Sequence, residues 1–430
     1  MKIAVVGTWH LGCVTAACMA HAGFDVIAYD PHEETIKNLQ QNKPPIFEPG
    51  LQELLQSGQA AKTLRYTSYL PELAEANVIW ITFDTPVDDQ DHADVNFVVN
   101  EIEKVFSVVQ DNALIMISSQ IPVGTTRQLQ QQCGRQFPEK NIFFAYIPEN
   151  LRLGKAIEVF SKPDRVIVGL QEGVAKSRIE QLFRPFTDHL MWMSIESAEM
   201  TKHALNAFLA SSVVFINELA LLCERVGADA KEVEQGLKSE ERIGSKAYLR
   251  AGNAIAGGTL ARDVKFLLQV GKQQKLSTPM FQSLLESNEN HKLWACQRIL
   301  TVIPDLSNQI IAVLGLTYKP GTNTLRRSAA LETCRWLSEQ GAKIVAHDPV
   351  ITSLPEPFSK FIALQSTIDE TLQNADAVII ATEWPVFQDV TADQLVTRLR
   401  KPFVFDASGF IRKHISMDAR IQYYSVGSQL

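Results

Sequence analysis

The chain has no C-x-x-C pair and no cluster of histidines. Its six cysteines, Cys13, Cys18, Cys133, Cys223, Cys296 and Cys334, are scattered along 430 residues. That distribution fits neither a zinc-ligand pattern nor the disulfide framework of a secreted domain. No metal site is expected, and a reducing cytosol is the simplest home. Positive charge is not in excess either: 41 Lys plus Arg against 48 Asp plus Glu leave a formal charge of −7. Such a balance favours solubility over attraction to polyphosphate, so neither nucleic acid nor an anionic membrane is an expected partner. No apolar run reaches the ~18 to 20 uninterrupted residues of a membrane span. The stretch from Lys2 to Ala22 has the outline of a signal peptide, but Gly7, His10 and Gly12 break it, and it reads as a strand followed by a helix.

What is there is globular: 46% of residues are hydrophobic and 21% charged, close to the averages for soluble domains. The length is about three times that of a usual domain, so two or three domains are expected, each with its own core. Lys2 to Val6 is a short apolar run closing on Gly7. A helical pattern from Leu11 to Ala22 stops at Gly23, and a second apolar run ends at Asp30. Strand, helix, strand is the opening of a doubly wound sheet. Further strands are predicted at Val78 to Phe83, Leu114 to Ser118, Ile142 to Ala145 and Arg165 to Val168. Ser197 to Arg225 reads as one long helix without Gly or Pro, ended by Gly227. A helix-rich stretch continues to about residue 300, Pro304 marks a break, and Ile310 to Gly315 is a new strand.

Two echoes then follow. "VIAYDP" at 26–31 returns as "IVAHDP" at 344–349, and "ANVIWITFDTP" at 76–86 as "ADAVIIATEWP" at 375–385, the pattern left by a repeated unit. The predicted fold class is α/β, with two Rossmann-like doubly wound lobes at 1–195 and 301–430 joined by a long central helix and a helical middle domain at 196–300.

A dinucleotide site needs a glycine turn between strand and helix, so that backbone N–H groups at the helix start can meet a pyrophosphate. Here the turn is Gly7-Thr8-Trp9-His10-Leu11-Gly12, in which the middle glycine of G-x-G-x-x-G is Trp9. Asp30 ends the second strand, where an acid receives ribose hydroxyls, and no arginine follows it for a 2′-phosphate, so NAD is favoured over NADP; Asp30 could instead simply start an Asp-Pro turn. Gly7, His10, Leu11, Gly12 and Asp30, with Thr85, Pro86 and Ser118 at the ends of the next strands, form the expected cofactor-binding set.

"PPIFEPGLQELL" at 44–55, "IPVGTT" at 121–126, "AEMTKHALNAFLASSVVFINELA" at 198–220, "RIG" at 242–244, "RDVKFL" at 262–267 and "IAVLGLTYKPGTNTLRRS" at 311–328 occur in order. With them the chain resembles the UDP-glucose/GDP-mannose dehydrogenase family over nearly its whole length. The resemblance implies oxidation of a sugar C6 hydroxyl to a carboxylate with two NAD molecules, by way of an aldehyde that a cysteine captures and a thioester that water hydrolyses. It assigns alkoxide stabilisation to Lys202 and Asn206, whose i, i+4 spacing puts both on one helix face. Asp263, with the lysine, orders the water that deprotonates the hydroxyl, and Glu149 activates water against the thioester. Gly257, Lys319 and Arg326 meet the nucleotide sugar, while Arg242 reaches the site of a neighbouring subunit in a homodimer. Without the resemblance, Lys202 and Asn206 would read as an exposed lysine and a capping-type asparagine. Asp263 would read as a helix N-cap, and the three arginine and lysine positions as solvated surface.

Four positions depart from the family pattern: Trp9, Gln120 in place of a threonine, Leu153 in place of a glutamate, and Thr259 in place of the cysteine. Counting back from Asp263 through "AGGTLARD" at 256–263, no register supplies a thiol, and a threonine hydroxyl is a poor nucleophile without an adjacent base. The expected activity is therefore NAD-dependent oxidation of a nucleotide sugar that stops at the aldehyde. A silent paralogue that binds a nucleotide sugar and regulates or scaffolds an active relative is the alternative, and a non-covalent hydrate route through Glu149 is a third reading.

Overall fold

The computed structural model describes residues 1–86, 93–171, 176–255 and 258–428. The chain forms two compact units, Met1–Leu205 and Asn206–Leu430.

The first unit is built on eight strands: β1 (Lys2–Val6), β2 (Asp25–Tyr29), β3 (Leu64–Thr67), β4 (Val78–Ile81), β5 (Leu114–Ile117), β6 (Phe143–Tyr146), β7 (Val166–Leu170) and β8 (Leu190–Met193). Their order in the sheet is β3-β2-β1-β4-β5-β6-β7-β8. Alternation along β1 explains its all-apolar sequence, because Ile3 and Val5 enter one core while Ala4 and Val6 enter the core on the opposite face. A strand covered on both faces reads as a continuous apolar run. The four strands predicted after Asp30 are β4 to β7, with ends displaced by a residue or two. β3 and β8 lie at the sheet edges and are partly exposed, so neither shows such a run. β7 pairs antiparallel with β6, a reversal of sense to which apolar periodicity is blind.

The second unit takes in the C-terminal part of the long helix, observed at Ile195–Val226, and helices at Ala230–Ser239, Gly258–Gln273, Pro279–Lys292 and Trp294–Val302. Its sheet comprises β9 (Ile310–Leu314), β10 (Lys343–His347), β11 (Ile362–Leu364), β12 (Ala377–Ile380), β13 (Phe403–Phe405) and β14 (Gln422–Tyr424), ordered β11-β10-β9-β12-β13-β14. The sequence echoes fall on corresponding elements. β1 is flanked by β2 and β4, as β9 is by β10 and β12, and the turn after each is closed by one hydrogen bond, Gly7 N–H to the Tyr29 carbonyl at 2.9 Å and Gly315 N–H to the His347 carbonyl at 2.8 Å. Gly7 has φ +95° and Gly315 φ +91°. A Cβ would fall 2.6 Å from Phe83 in the first case and 2.5 Å from Thr382 in the second, so both turns require glycine.

The long helix is apolar enough, by length and composition, to cross a membrane, with a mean hydropathy of 1.7 in its most apolar window. It nevertheless buries Glu199, Lys202, His203, Asn217 and Glu224, and each of these polar groups is bonded to protein. Near its end the Glu224 carboxylate accepts the Trp294 indole N–H at 3.0 Å and the Gly427 N–H at 3.0 Å, and pairs with Arg298 at 3.0 Å. Arg298 also lies over the Tyr424 ring. This cluster ties the helix to the Trp294–Val302 helix and to the C-terminal residues.

Removing one member of a buried ion pair leaves the other charge buried and uncompensated, at about 3 to 5 kcal/mol. Glu224→Ala is expected to lose that much in urea unfolding, and adding Arg298→Met should restore part of it by removing the stranded charge. A loss below about 1 kcal/mol, the range of exposed pairs, would show the pair to be solvated.

Candidate functional site

In the first unit the glycine turn is a small rigid assembly. The Asp30 carboxylate accepts the Thr8 N–H at 2.9 Å and the Thr8 hydroxyl at 3.0 Å, while its other oxygen accepts the His32 N–H at 3.1 Å. Asp30 therefore braces the glycine turn and starts the Asp-Pro bend. Gly12 is obligatory, since a Cβ there would fall 1.8 Å from the Gly7 carbonyl oxygen. The helix His10–His21 has no acidic residue in its first turn and no side-chain cap from Trp9, which leaves the N–H groups at its start suited to an anion. Trp9 has φ −79° and is half exposed, so its position needs no glycine for backbone reasons. His10 bonds to buried Glu48 at 2.9 Å, and Glu48 also accepts the N–H groups of Gly154 at 2.8 Å and Ala156 at 2.9 Å. Leu11 is half-buried beside it. These features fit an NAD pyrophosphate cradle, with no arginine beside Asp30 to select a 2′-phosphate.

The remaining cofactor candidates lie at the ends of β4 and β5. Thr85 is buried, and its hydroxyl donates to the Gln120 carbonyl. Pro86 is exposed and its carbonyl accepts the Asp94 N–H. Ser118 is buried, and its hydroxyl accepts the Trp80 indole N–H at 2.9 Å.

Two residues not singled out from the sequence hold this region together. Glu199, fully buried, accepts the N–H groups of Gly124 at 2.6 Å and Thr126 at 2.9 Å. His203, one helical turn on, bonds through Nε2 to the Ile121 carbonyl at 3.0 Å. The "IPVGTT" loop, which carries on from Gln120, is thereby clamped to the helix face next to Lys202. A glutamate and a histidine at i, i+4 inside an apolar helix were the signal that could have revealed the clamp.

Lys202 is 6% exposed and donates to the Glu149 carbonyl, with the Glu149 carboxylate 3.4 Å from its Nζ. The exposed-lysine alternative is overturned. In the second unit Asn206 donates to the carboxylate of Asp263, which is fully buried. Asp263 lies in the second turn of the Gly258–Gln273 helix, so it is not an N-cap, and the asparagine is no cap either. Thr259, in the first turn of that helix, is exposed, and Gly257 falls outside the described residues. Leu153 is half-buried and contributes no acid.

No thiol substitutes for Thr259. All six cysteines are buried. Burial pushes Cys13 and Cys296 up to about 12, Cys18 and Cys133 up to about 11, and Cys334 higher still. Thiols so placed are poor sources of thiolate.

The second unit repeats the brace. Asp348 accepts the N–H groups of Leu316 at 2.7 Å and Thr317 at 3.0 Å, and the indole N–H of Trp384 at 3.2 Å. Beside it lies a cavity of about 210 Å³ whose lining includes Thr317, Tyr318, Lys319, His291 and Lys292. Lys319 therefore stands at the end of β9, where doubly wound sheets take their ligands. Burial holds His291 below its usual pKa, and its Nε2–H donates to the Gly252 carbonyl at 2.7 Å. Arg326 is exposed. Arg242 is 88% exposed and pairs with its near neighbour Glu240 at 2.9 Å.

Models of the UDP-glucose/GDP-mannose dehydrogenase family match the chain in three parts. The NAD binding domain covers residues 1–187, the central domain 196–290 and the UDP binding domain 312–413. The UDP-glucose 6-dehydrogenase TuaD of Bacillus subtilis (strain 168) is 31% identical over 99% of this chain and 93% of that protein. The UDP-glucose 6-dehydrogenase of Rhizobium meliloti (strain 1021) is 31% identical over 99% of each. Among solved structures, a UDP-glucose dehydrogenase from Pyrobaculum islandicum superposes with a TM-score of 0.87 at 27% identity, covering 99% of this chain and 98% of the other.

Burial raises the pKa of Glu199 above the usual 4.5, against the pull of its hydrogen bonds. A raised carboxyl pKa gives stability that is complete below the unfolded value and is lost as pH rises through the folded value. Glu199→Gln does not titrate, so its melting temperature relative to the parent is expected to improve between about pH 5 and about pH 8. A difference that stays flat across that range would mean that Glu199 ionises normally.

Proposed function

This chain belongs to the UDP-glucose/GDP-mannose dehydrogenase family, and from that premise we propose that it oxidises the C6 hydroxyl of a nucleotide sugar and stops at the aldehyde. As a member it is an NAD-dependent oxidoreductase. The observation that carries the finer reading is the pairing of intact acid-base groups, Lys202 with Glu149 and Asn206 with Asp263, with a hydroxyl at the thiol position.

NAD, when bound at the Gly7–Gly12 turn, supplies the acceptor for the electron pair of the C6–H bond. Asp263 takes the hydroxyl proton through an ordered water, and Asn206 fixes the carboxylate that does so. Lys202 brings positive charge to the developing alkoxide. Glu149, which would activate water against a thioester, here orients the lysine. Thr259 adds a hydroxyl beside the C6 oxygen, but with no thiolate there is no covalent capture and no second electron pair is removed.

Nucleotide recognition belongs to the second unit, with Lys319 and Arg326 as the cations for the diphosphate. A homodimer completes the reading, with Arg242 reaching the neighbouring site. In support, Phe208, Phe215 and Leu222 are exposed at seven-residue spacing on the long helix, at 71%, 52% and 60%, an apolar stripe that a second copy would cover. Six free buried thiols suit a reducing cytoplasm.

Purified protein with NAD and a panel of UDP-, GDP- and TDP-sugars is expected to form one NADH per sugar oxidised. Two per sugar would favour the hydrate route through Glu149, and ligand binding without NADH would favour the silent paralogue. Lys202→Ala should lower kcat by at least about a hundredfold with nucleotide affinity nearly unchanged; an unaltered rate removes the lysine from the mechanism. Thr259→Cys should restore acid formation, and failure to give any acid or thiol adduct would refute the assigned register.

A further inference from the structure

Glu48 takes no part in the chemistry of C6 oxidation, yet its side chain is 1% exposed and its carboxylate gathers donors from two distant segments. One oxygen accepts from His10 Nε2 at 2.9 Å and from the Gly154 N–H at 2.8 Å, and the other accepts the Ala156 N–H at 2.9 Å. An ionised carboxylate only accepts, so the imidazole is the donor. His10 is the first residue of the helix that follows the glycine turn, where the pyrophosphate of NAD meets backbone N–H groups. Gly154 and Ala156 close the far end of a segment that begins at Glu149. The near end is held by Lys202, which donates to the Glu149 carbonyl and lies 3.4 Å from its carboxylate. Within the segment the Leu151 N–H bonds back to the Glu149 carboxylate, and the Lys155 N–H to the Arg152 carbonyl at 2.9 Å. Residues 149–156 thus form a brace with Lys202 at one end and, through Glu48, the cofactor turn at the other.

A carboxylate out of water pays heavily for a withdrawn donor. His10 cannot leave Glu48 without leaving that carboxylate to be satisfied by Gly154 and Ala156 alone, so a change at either end of the brace is felt at the other. We propose that Glu48 is a positioning residue that links NAD binding at the Gly7–Gly12 turn to the ordering of residues 149–156, and hence to the setting of Glu149 against Lys202. NAD fixes the helix start, His10 is fixed with it, and the carboxylate passes the restraint to Gly154 and Ala156. By linkage, a sugar that orders the same segment strengthens NAD binding in return. The use of this link in catalysis rests on the reading that Lys202 acts at the sugar C6.

The test is amide hydrogen exchange of the full chain, which needs no sugar, with saturating NAD and separately with ADP-ribose. ADP-ribose lacks the nicotinamide, and so separates the link from direct contact of that ring with the segment. In the parent both ligands are expected to slow exchange over residues 149–156 about tenfold or more, the scale of one hydrogen bond to a charged group. His10→Phe keeps a ring without a donor; with ligand saturating, protection should persist over residues 7–12 and vanish over 149–156. His10→Gln, whose amide still donates, should recover part of it, which a general loss of packing would not allow. Glu48→Gln should also abolish it and serves if His10→Phe does not fold. No slowing over 149–156 in the parent, slowing by NAD but not by ADP-ribose, or slowing that survives both His10→Phe and Glu48→Gln overturns the link and leaves the proposed function standing. A link that behaves as expected in a protein that forms no NADH from any sugar keeps the link and overturns the function. Failure of NAD and ADP-ribose to bind overturns both.

Discussion

Much of each unit is held by polar side chains buried on one apolar helix. Glu199, Lys202, His203, Asn217 and Glu224 all turn inward from the Ile195–Val226 helix, and a buried polar group without a partner costs more than most single contacts provide. Each must therefore bond to protein, and each bond fixes a segment that carries none of the helix's own sequence. Glu199 and His203 hold the loop after Gln120, Lys202 holds Glu149, and Asn217 accepts the Gly252 N–H at 2.9 Å and donates to the Asn253 carbonyl at 3.2 Å. Glu224 gathers Trp294, Arg298 and Gly427. The helix organises both units by the requirement that its polar groups be satisfied, with apolar packing filling the space between them.

A second constraint is used twice. In each unit a strand ends in a glycine at positive φ, the chain turns beneath the following strand, and an aspartate from the next strand braces the turn, Asp30 on Thr8 and Asp348 on Thr317. The repeat makes two ligand-binding ends from one local design. They differ in their surroundings: the first presents an uncapped helix start beneath Trp9, the second a cavity with Lys292 and Lys319 in its wall. A dinucleotide and a nucleoside diphosphate are matched by these two chemistries.

On the proposed reading, the chemistry turns on which of the family's groups are retained and which are replaced. Acid-base and electrostatic groups act through position and charge, and the pairs that hold Lys202 and Asp263 keep both in place. Nucleophilic capture needs an accessible thiolate, and burial removes that option from all six cysteines.

Much of the fold was legible in the sequence because buried parallel strands and long helices leave periodic apolar patterns, and glycines at positive φ punctuate them. The strand at β1, the long helix, Gly7, Gly227 and the echoes around Asp30 and Asp348 all follow from that. Edge strands β3 and β8 and the antiparallel sense of β7 do not, since half-exposed strands lack the pattern and direction has no periodicity. At the site, Lys202, Asn206, Asp263 and the thiol position were legible as candidates only through the family resemblance that the ordered motifs carry. Their pairing was not, nor was the engagement of Asp30 by Thr8, the clamp of Glu199 and His203, or the approach of Arg327 to Gly258. Those contacts join residues separated by between 22 and 82 positions, and sequence records what a side chain can bond to while only the tertiary fold decides which partner is brought within reach.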